Sequence, residues 1–247
     1  MESPRYDSVK STHKSQVHNA QRTHAIYHNR KILYNHFSMR FSIRHLIPSL
    51  LLLLATIIST PGFAREYTVS RVIDGDSIVL DTGEQVRYLG IDAPEMGKQA
   101  GGPQFYAREA LAFNKQLVLL KKVRLEFDEE KHDAYGRLLA YVFVKNLFVN
   151  GEMVKRGYAR AMIKPPNVKY KDLLVKYQNE AMSKEIGLWQ EKKTDTAPYY
   201  IGNKRSYVFH RPDCPYAAKV PEKNKITFKN RLDAIKIGYT PCKRCKP

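Results

Sequence analysis

Cysteine is scarce in this sequence, since only three of its 247 residues are cysteine. Small secreted domains that rely on disulfide bonds contain far more, so the chain is not a disulfide-rich scaffold. With 43% hydrophobic and 27% charged residues, the composition supports a packed core and excludes a wholly disordered or collagen-like chain. The length is sufficient for one or two domains of roughly 150 residues each.

Acidic side chains are also few. The sequence contains 24 Asp and Glu residues and 42 Lys and Arg residues, which gives a formal net charge of +18. Such an excess indicates a polyanionic partner, either nucleic acid or an anionic membrane surface. Residues 199–247 carry 12 basic and 3 acidic side chains, a net of +9, whereas residues 65–198 carry 22 and 19, a net of +3. We therefore expect the C-terminal segment to take part in polyanion binding.

Long apolar runs are missing as well. The thirteen mostly apolar residues 46–58 fall short of the roughly 20 that a membrane-spanning helix needs. The run follows basic side chains and precedes the small residues Gly62 and Ala64, an order typical of a secretory signal cleaved before Arg65. An uncleaved anchor and a buried core helix are the alternatives. We expect a secreted or periplasmic protein without a stable membrane span after cleavage.

Residues 1–38 show no apolar periodicity and hold five of the eight histidines. Met39 would open a signal peptide of ordinary length over residues 39–64. We therefore interpret residues 1–38 as a mis-called start, with a disordered extension as the alternative.

Short runs rich in Val, Ile and Tyr, separated by turn residues, predict five strands downstream of the signal. Helical patterns lie between and after them. The predicted strands are 67–73, 77–80, 85–91, 123–127 and 138–144, and the predicted helices are 103–120, 149–156 and 170–184. This order indicates an α+β domain over residues 65–189, built on a small five-stranded barrel of the kind that binds oligonucleotides. Residues 190–198 read as a linker.

Charged side chains gather at the ends of these strands. Carboxylates such as Asp76, Asp92 and Glu95 can hold a hard cation or activate a water molecule. Arg87 and Arg137 suit a phosphate, because the guanidinium fork matches its oxygens and keeps its charge. Together these groups are suited to phosphodiester hydrolysis. From spacing alone, acidic turns with surface salt bridges are the alternative.

Four sequence blocks at these positions resemble the staphylococcal nuclease (thermonuclease) family. They are VIDGDS at 72–77, VRYLGIDAPE at 86–95, DAYGRLLAY at 133–141, and VNGEMV to GYA at 149–159. The resemblance runs from about residue 67 to residue 189. It implies an OB-fold barrel with three helices and a Ca²⁺-dependent endonuclease active on DNA and RNA.

The resemblance also implies a role for each matching residue. The Ca²⁺ ligands would be Asp76, Asp92 and the backbone carbonyl of Ala93, and the catalytic residues would be Arg87, Glu95 and Arg137. Glu95 falls on the residue usually assigned as general base, and the two arginines fall on phosphate-binding positions. A cation and two arginines arranged around a phosphate stabilise the negative charge that hydrolysis adds to its oxygens.

The three cysteines lie near the C-terminus with the last histidine, as His210-x3-Cys214 followed by Cys242-x2-Cys245. A Cys₃His set is one that Zn²⁺ uses in structural sites, and a segment of about 50 residues rarely supplies a sufficient core alone. We predict a zinc-binding domain over residues 199–247. A Cys242–Cys245 disulfide with Cys214 free is the alternative in an oxidising compartment. The segment resembles the metal-binding domain of Ada, with His in the first ligand position.

The sequence as a whole predicts an exported, monomeric, Ca²⁺-dependent endonuclease with a basic zinc module that helps to bind DNA and RNA. The basic residues that flank the zinc ligands or their turns are the candidates for this binding: Lys204, Arg205, Arg211, Lys243 and Arg244. One alternative is a non-catalytic nucleic-acid-binding OB-fold protein. Another is an anchored scaffold that binds membrane lipid. A decayed site would rarely keep every charged residue of the motif, which favours the enzyme.

Overall fold

The computed structural model describes residues 65–97, 102–192, 194 and 197–247. The extension predicted over residues 1–38 and the signal peptide predicted over residues 39–64 lie outside the described residues. In the described part of the chain, no helix combines the length and the apolar character needed to cross a membrane.

The first eight strands of the described chain surround one hydrophobic core. They are β1 (Glu66–Val72), β2 (Ser77–Leu80), β3 (Gln85–Tyr88), β4 (Ile91–Asp92), β5 (Lys122–Glu126), β6 (Leu138–Val144), β7 (Leu147–Phe148) and β8 (Arg160–Ala161). Neighbouring strands pair in the order β3-β2-β1-β5-β6, and a parallel pairing of β3 with β6 closes the ring. The predicted five-stranded OB-fold barrel is therefore confirmed.

Strand β6 shows why the barrel is stable, because it is buried on both faces. Leu138, Ala140 and Val142 point into the main core. The alternate residues Tyr141 and Phe143 belong to a second apolar cluster on the other face. Residues i and i+2 share one face of a strand, so a continuous apolar run is what burial on both sides requires.

Three helices pack around this barrel: α1 (Ala107–Val118), α2 (Val149–Lys155) and α3 (Lys171–Ser183). Their existence and order confirm the sequence-based prediction. The first helix was predicted to begin at Pro103, and this was wrong. Tyr106 has a left-handed backbone (φ 68°), which lies outside the helical region and delays the helix to Ala107.

The C-terminal segment forms a smaller sheet with its own core. Its elements are β9 (Tyr200–Asn203), β10 (Val208–His210), α4 (Pro215–Ala218), β11 (Lys225–Phe228), α5 (Arg231–Lys236) and β12 (Thr240–Pro241). The strand order is β11-β9-β10-β12, with β10 and β12 parallel. Buried Tyr200, Phe209 and Phe228 form the centre of this core. We call residues 199–247 the tail.

The tail packs against α3 of the barrel. The Gln178 side chain accepts a hydrogen bond from the Ala161 N–H (2.9 Å) and donates one to the Ile235 carbonyl (2.8 Å), both buried. Lys171 donates to the Tyr207 hydroxyl at 2.8 Å. Barrel and tail thus share polar contacts that are shielded from water.

Candidate functional site

Asp76 is a nearly buried carboxylate, only 5% exposed, at the turn between β1 and β2. Its Oδ2 accepts the Ala93 N–H at 2.6 Å, and its Oδ1 accepts the Ser77 hydroxyl at 3.1 Å and lies 3.1 Å from Arg87 Nε. Burial raises the pKa of Asp76 to about 7, although Arg87 lowers it in part. A carboxylate so poorly solvated would be stabilised in its charged form by a bound cation.

The turn that presents Asp76 depends on its glycine. Asp74 accepts the Asp76 N–H at 3.0 Å, so Asp74 shapes the turn. A Cβ at Gly75 would lie 2.6 Å from the Cβ of Ala93, which real Cβ atoms do not tolerate. The missing side chain of Gly75 thus lets the turn that carries Asp76 approach the segment that contains Ala93.

Arg87 bridges the two predicted calcium ligands. Its Nε faces Asp76, and its Nη2 lies 3.2 Å from Asp92 Oδ1. Its Nη1 donates to the carbonyls of Tyr88 and Ile91, both at 2.8 Å. Four of the five guanidinium N–H groups thus have partners among the described residues, which leaves one Nη2 N–H for a substrate.

Asp92 and Ala93 are positioned by the short strand β4. Asp92 stands opposite Arg160 where β4 pairs with β8. Ala93 is buried, and its N–H is bound to Asp76. The two predicted calcium-binding segments, 76 and 92–93, are therefore joined by a direct hydrogen bond.

Arg137 is aimed by a tight loop built on Asp133. The Asp133 Oδ2 accepts from Arg137 Nε at 2.8 Å and lies 2.7 Å from its Nη2. The Oδ1 accepts the backbone N–H groups of Tyr135 and Arg137. Burial raises the pKa of Asp133, but these hydrogen bonds outweigh it and hold the pKa below its usual value. Asp133 therefore fixes both the loop and the guanidinium.

Glu95 is exposed, and its backbone is fixed by two hydrogen bonds with Gln104. The Glu95 N–H donates to the Gln104 side chain at 3.2 Å, and the Gln104 N–H donates to the Glu95 carbonyl at 3.0 Å. An exposed carboxylate on an anchored backbone can reach a water molecule without being buried itself.

A single cavity of about 220 Å³ collects the side chains that the sequence predicted. It is lined by Asp76, Arg87, Asp92, Glu95 and Arg137. Ala93 lies beside this cavity through its bond to Asp76. Lys243, which was predicted only as a nucleic-acid-binding residue, also lines it, and so do two charged residues that sequence reasoning missed, Glu130 and Lys164. Their only signal in the sequence is charge, which is common on any surface.

The four predicted zinc ligands come together in the tail. The ligand atoms of His210, Cys214, Cys242 and Cys245 lie within 4.8 Å of one another, and the cysteines carry free thiols. Burial lowers the pKa of His210, which favours the neutral imidazole that binds metals.

Cys214 lies at the start of α4, where backbone N–H groups face its sulfur. Burial raises the pKa of the Cys214 thiol, but hydrogen bonds from the N–H groups of Tyr216 and Ala217 and from the other thiols lower it below its usual value. Helix N-termini stabilise thiolates in this way. Three sulfurs and one imidazole nitrogen at this spacing match the donor set and the size of a tetrahedral zinc site.

The five basic residues predicted to bind nucleic acid occupy different surroundings. Lys204 and Arg205 are exposed in the turn after β9. Arg211 Nε lies 3.6 Å from Asp213 Oδ1, and the Arg244 guanidinium lies over the Tyr216 ring. Lys243 alone among the five lines the described part of the cavity with Asp76 and Arg137.

Comparison with known proteins agrees with both parts of the chain. Residues 85–191 match the family model of the staphylococcal nuclease homologues, and residues 188–247 match that of the metal-binding domain of Ada. Over 135 residues the chain is 42% identical to a thermonuclease of Staphylococcus intermedius, covering 53% of this chain and 80% of that protein. A thermonuclease of Staphylococcus hyicus is 40% identical over 128 residues, 51% of this chain and 76% of that protein. Endonuclease YncB of Bacillus subtilis is 42% identical over 129 residues, 50% of this chain and 61% of that protein.

Proposed function

Because this chain belongs to the staphylococcal nuclease family, we propose that it is a Ca²⁺-dependent endonuclease that hydrolyses phosphodiester bonds of DNA and RNA. The observation that carries the proposal is the cavity in which two carboxylates, a third exposed carboxylate and two arginines meet. A nucleic-acid-binding barrel without catalysis would not need Glu95 and both arginines at one cavity.

Asp76, Asp92 and the Ala93 carbonyl would hold the calcium ion. The donors are all oxygens, as Ca²⁺ prefers, and burial, which raises the pKa of Asp76, makes its charged form unfavourable unless a cation binds beside it. Bound Ca²⁺ would supply positive charge beside the phosphoryl oxygens.

The chain's own residues supply the other steps of hydrolysis. Arg137, aimed by Asp133, and the remaining N–H of Arg87 donate hydrogen bonds to the phosphoryl oxygens and stabilise the charge that develops there. Glu95 takes a proton from the attacking water. Since Asp133 and the carbonyl partners of Arg87 fix both guanidinium groups before substrate binds, little reorganisation is needed in the transition state.

The proposal is tested by hydrolysis of single-stranded DNA and RNA with and without Ca²⁺. Removing one preorganised donor costs roughly 10²- to 10³-fold in rate, so Arg137→Ala and Arg87→Ala should each lose at least that much. Glu95→Gln should also lose turnover. Arg156→Ala is a matched control, because Arg156 is exposed and pairs with Glu152 on α2. Full activity without Ca²⁺, or in Arg137→Ala, would contradict this mechanism.

We also propose that the tail holds one structural Zn²⁺ through His210, Cys214, Cys242 and Cys245. The support is the convergence of the four ligand atoms and the match to the metal-binding domain of Ada. Zinc would contribute folding free energy to a small segment. Metal analysis of protein purified without chelator should give one zinc per chain, and a zinc-free, folded tail would contradict the proposal.

We further propose export with cleavage after Ala64, which would place the enzyme in the periplasm or outside the cell. The support is the order of basic, apolar and small residues over 39–64. N-terminal sequencing of protein from its host should begin at Arg65. An intact Met1 or Met39 terminus in the membrane fraction would support an anchor instead.

A further inference from the structure

Lys243 belongs to the tail by sequence but to the nuclease cavity by position. It lies between the predicted zinc ligands Cys242 and Cys245, and it lines the cavity that Asp76, Arg87 and Arg137 also line. It is exposed, and it makes no ion pair with any described residue. Its ammonium group is therefore free to bind an anion in that cavity.

The backbone on both sides of Lys243 is held in place. The Cys242 N–H donates to the Phe209 carbonyl at 2.9 Å, and the Lys246 N–H donates to the Cys242 carbonyl at 2.9 Å. The Arg211 N–H points at the Cys245 sulfur at 3.5 Å. Metal coordination by the two flanking thiolates would fix this four-residue turn further.

The tail as a whole is held on the barrel by buried contacts, so the approach of Lys243 is a property of the fold. Gln178 links the Ala161 N–H beside β4 to the Ile235 carbonyl of α5. Beside this buried link, Asn179 adds an exposed hydrogen bond, which it donates to the Lys236 carbonyl at 2.9 Å. A Cβ at Gly238 would lie 2.8 Å from the Val175 side chain, which shows how closely the tail approaches α3.

A second cavity extends the site along the tail. Its volume is about 540 Å³, and it adjoins the first because Asp92, Glu95 and Lys243 line both. Lys246 and the exposed ring of Phe105 also line it. Proteins that bind single-stranded nucleic acid use basic side chains along its phosphate backbone and exposed aromatic rings on which its bases stack.

We propose that Lys243 binds a substrate phosphate adjacent to the scissile one, and that zinc coordination by its neighbours holds it there. Arg87 and Arg137 each direct two of their five guanidinium N–H groups at carboxylates inside the protein. Lys243 adds to the cavity a cation that has no such partner. The zinc module would then complete the substrate-binding site of the nuclease, and this inference rests on the proposed nuclease function.

The first experiment measures binding of a single-stranded DNA 12-mer by fluorescence anisotropy, with Ca²⁺, in the Glu95→Gln background that blocks turnover. Lys243→Ala should weaken binding roughly fivefold at low salt and reduce the salt slope by about 0.7, the value for one lost phosphate contact. Lys243→Arg should keep most of the affinity, since it keeps the charge.

Lys223→Ala is the matched control. Lys223 is an exposed lysine of the same basic tail, and it is not among the described residues that line the cavity. Its affinity and salt slope should stay within about twofold of the parent protein. Equal effects of Lys223→Ala and Lys243→Ala, or no effect of Lys243→Ala, would overturn the proposal.

The second experiment tests the dependence on zinc. Cys245→Ser should lose zinc, and Lys243→Ala should cost no further affinity when added to it. If Lys243→Ala weakens DNA binding as much in the Cys245→Ser background as in the protein with Cys245, the positioning role of zinc is overturned. Failure of the nuclease proposal would be seen separately, as absence of hydrolysis by the wild-type protein with Ca²⁺.

Discussion

Asp133 illustrates how one carboxylate can orient a site through its hydrogen bonds. It accepts two backbone N–H groups of its own loop and two side-chain donors of Arg137. The loop conformation and the guanidinium direction are thus determined by one side chain, which makes Asp133 a positioning residue.

We expect Asp133→Asn to lower kcat by at least tenfold with little effect on calcium affinity, because the Arg137 guanidinium is no longer held in one orientation while Asp76 and Asp92 remain.

A positioning role of Asp133 also predicts that stability depends on pH. The pKa of Asp133 is lowered in the folded protein, so its contribution to stability is present above the unfolded pKa and is lost as pH falls through the lower, folded value.

The measurement compares urea unfolding of wild type and Asp133→Asn from pH 7 to pH 3. The difference between their unfolding free energies should be constant above about pH 5 and shrink below about pH 4. A difference that does not change across this range would contradict the ionic link between Asp133 and Arg137.

Gly75 gives a second test at the residue scale. Gly75→Ala places a Cβ 2.6 Å from the Ala93 Cβ, so the segments that carry Asp76 and the Ala93 carbonyl must separate. Calcium affinity should fall at least tenfold, as measured by titration calorimetry. The double variant with Ala93→Gly should recover part of it, since it removes one of the two clashing methyl groups. Equal calcium affinity in Gly75→Ala and wild type would contradict the predicted ligand set.

At the scale of elements, α3 connects the nuclease site to the tail. Its buried Gln178 satisfies one N–H of β8 and one carbonyl of α5. Strand β8 in turn pairs with β4, which carries Asp92. Through Gln178, the helix therefore links the tail to the pair of strands that carries Asp92.

Gln178→Ala should destabilise the protein by about 3 kcal/mol, because two buried backbone groups lose their partners. Asn179→Ala is the matched control, since Asn179 lies next to Gln178 and makes an exposed hydrogen bond to the Lys236 carbonyl. The control should cost less than about 1 kcal/mol. Urea unfolding of the two variants checks the prediction, and similar losses in both would mean that burial of the Gln178 network contributes little.

At the scale of the whole molecule, two kinds of metal ion would bind at different places, one in the barrel and one in the tail. The barrel carries oxygen donors suited to calcium, and the tail carries sulfur and imidazole donors suited to zinc. The tail also holds a net charge of +9, from 12 basic and 3 acidic side chains, so its removal changes the electrostatic field around the site.

Treatment with a zinc-selective chelator should release one zinc per chain and lower the melting temperature of the tail, while Ca²⁺-dependent kcat on saturating substrate stays within about threefold. The salt slope of nucleic-acid binding should fall at the same time, by at least about 0.7. Zinc release is followed with a colorimetric metal indicator. Retention of the full salt slope after zinc loss would argue that the tail binds nucleic acid without being ordered by metal.

Features that depend on neighbouring residues could be predicted from the amino-acid sequence. Short runs rich in Val, Ile and Tyr indicated the five strands of the barrel, and turn residues such as Gly75 indicated where they end. The Cys₃His spacing indicated the ligand cluster that the structure brings together. Local patterns suffice for strands, turns and each ligand pair because adjacent residues set them, whereas the parallel pairing of β10 with β12 brings the two ligand pairs together.

Tertiary packing brings the distant residues of the site together. Arg137 lines the same cavity as Arg87 because β6 pairs in parallel with β3, although the two segments lie about 50 residues apart in the sequence. Lys243 reaches the same cavity because Gln178 and its neighbours hold the tail on α3. The charge of Lys243 can be read from the sequence, but its position at the cavity cannot. That position depends on how the tail packs against the barrel, which is set by the shape of both surfaces.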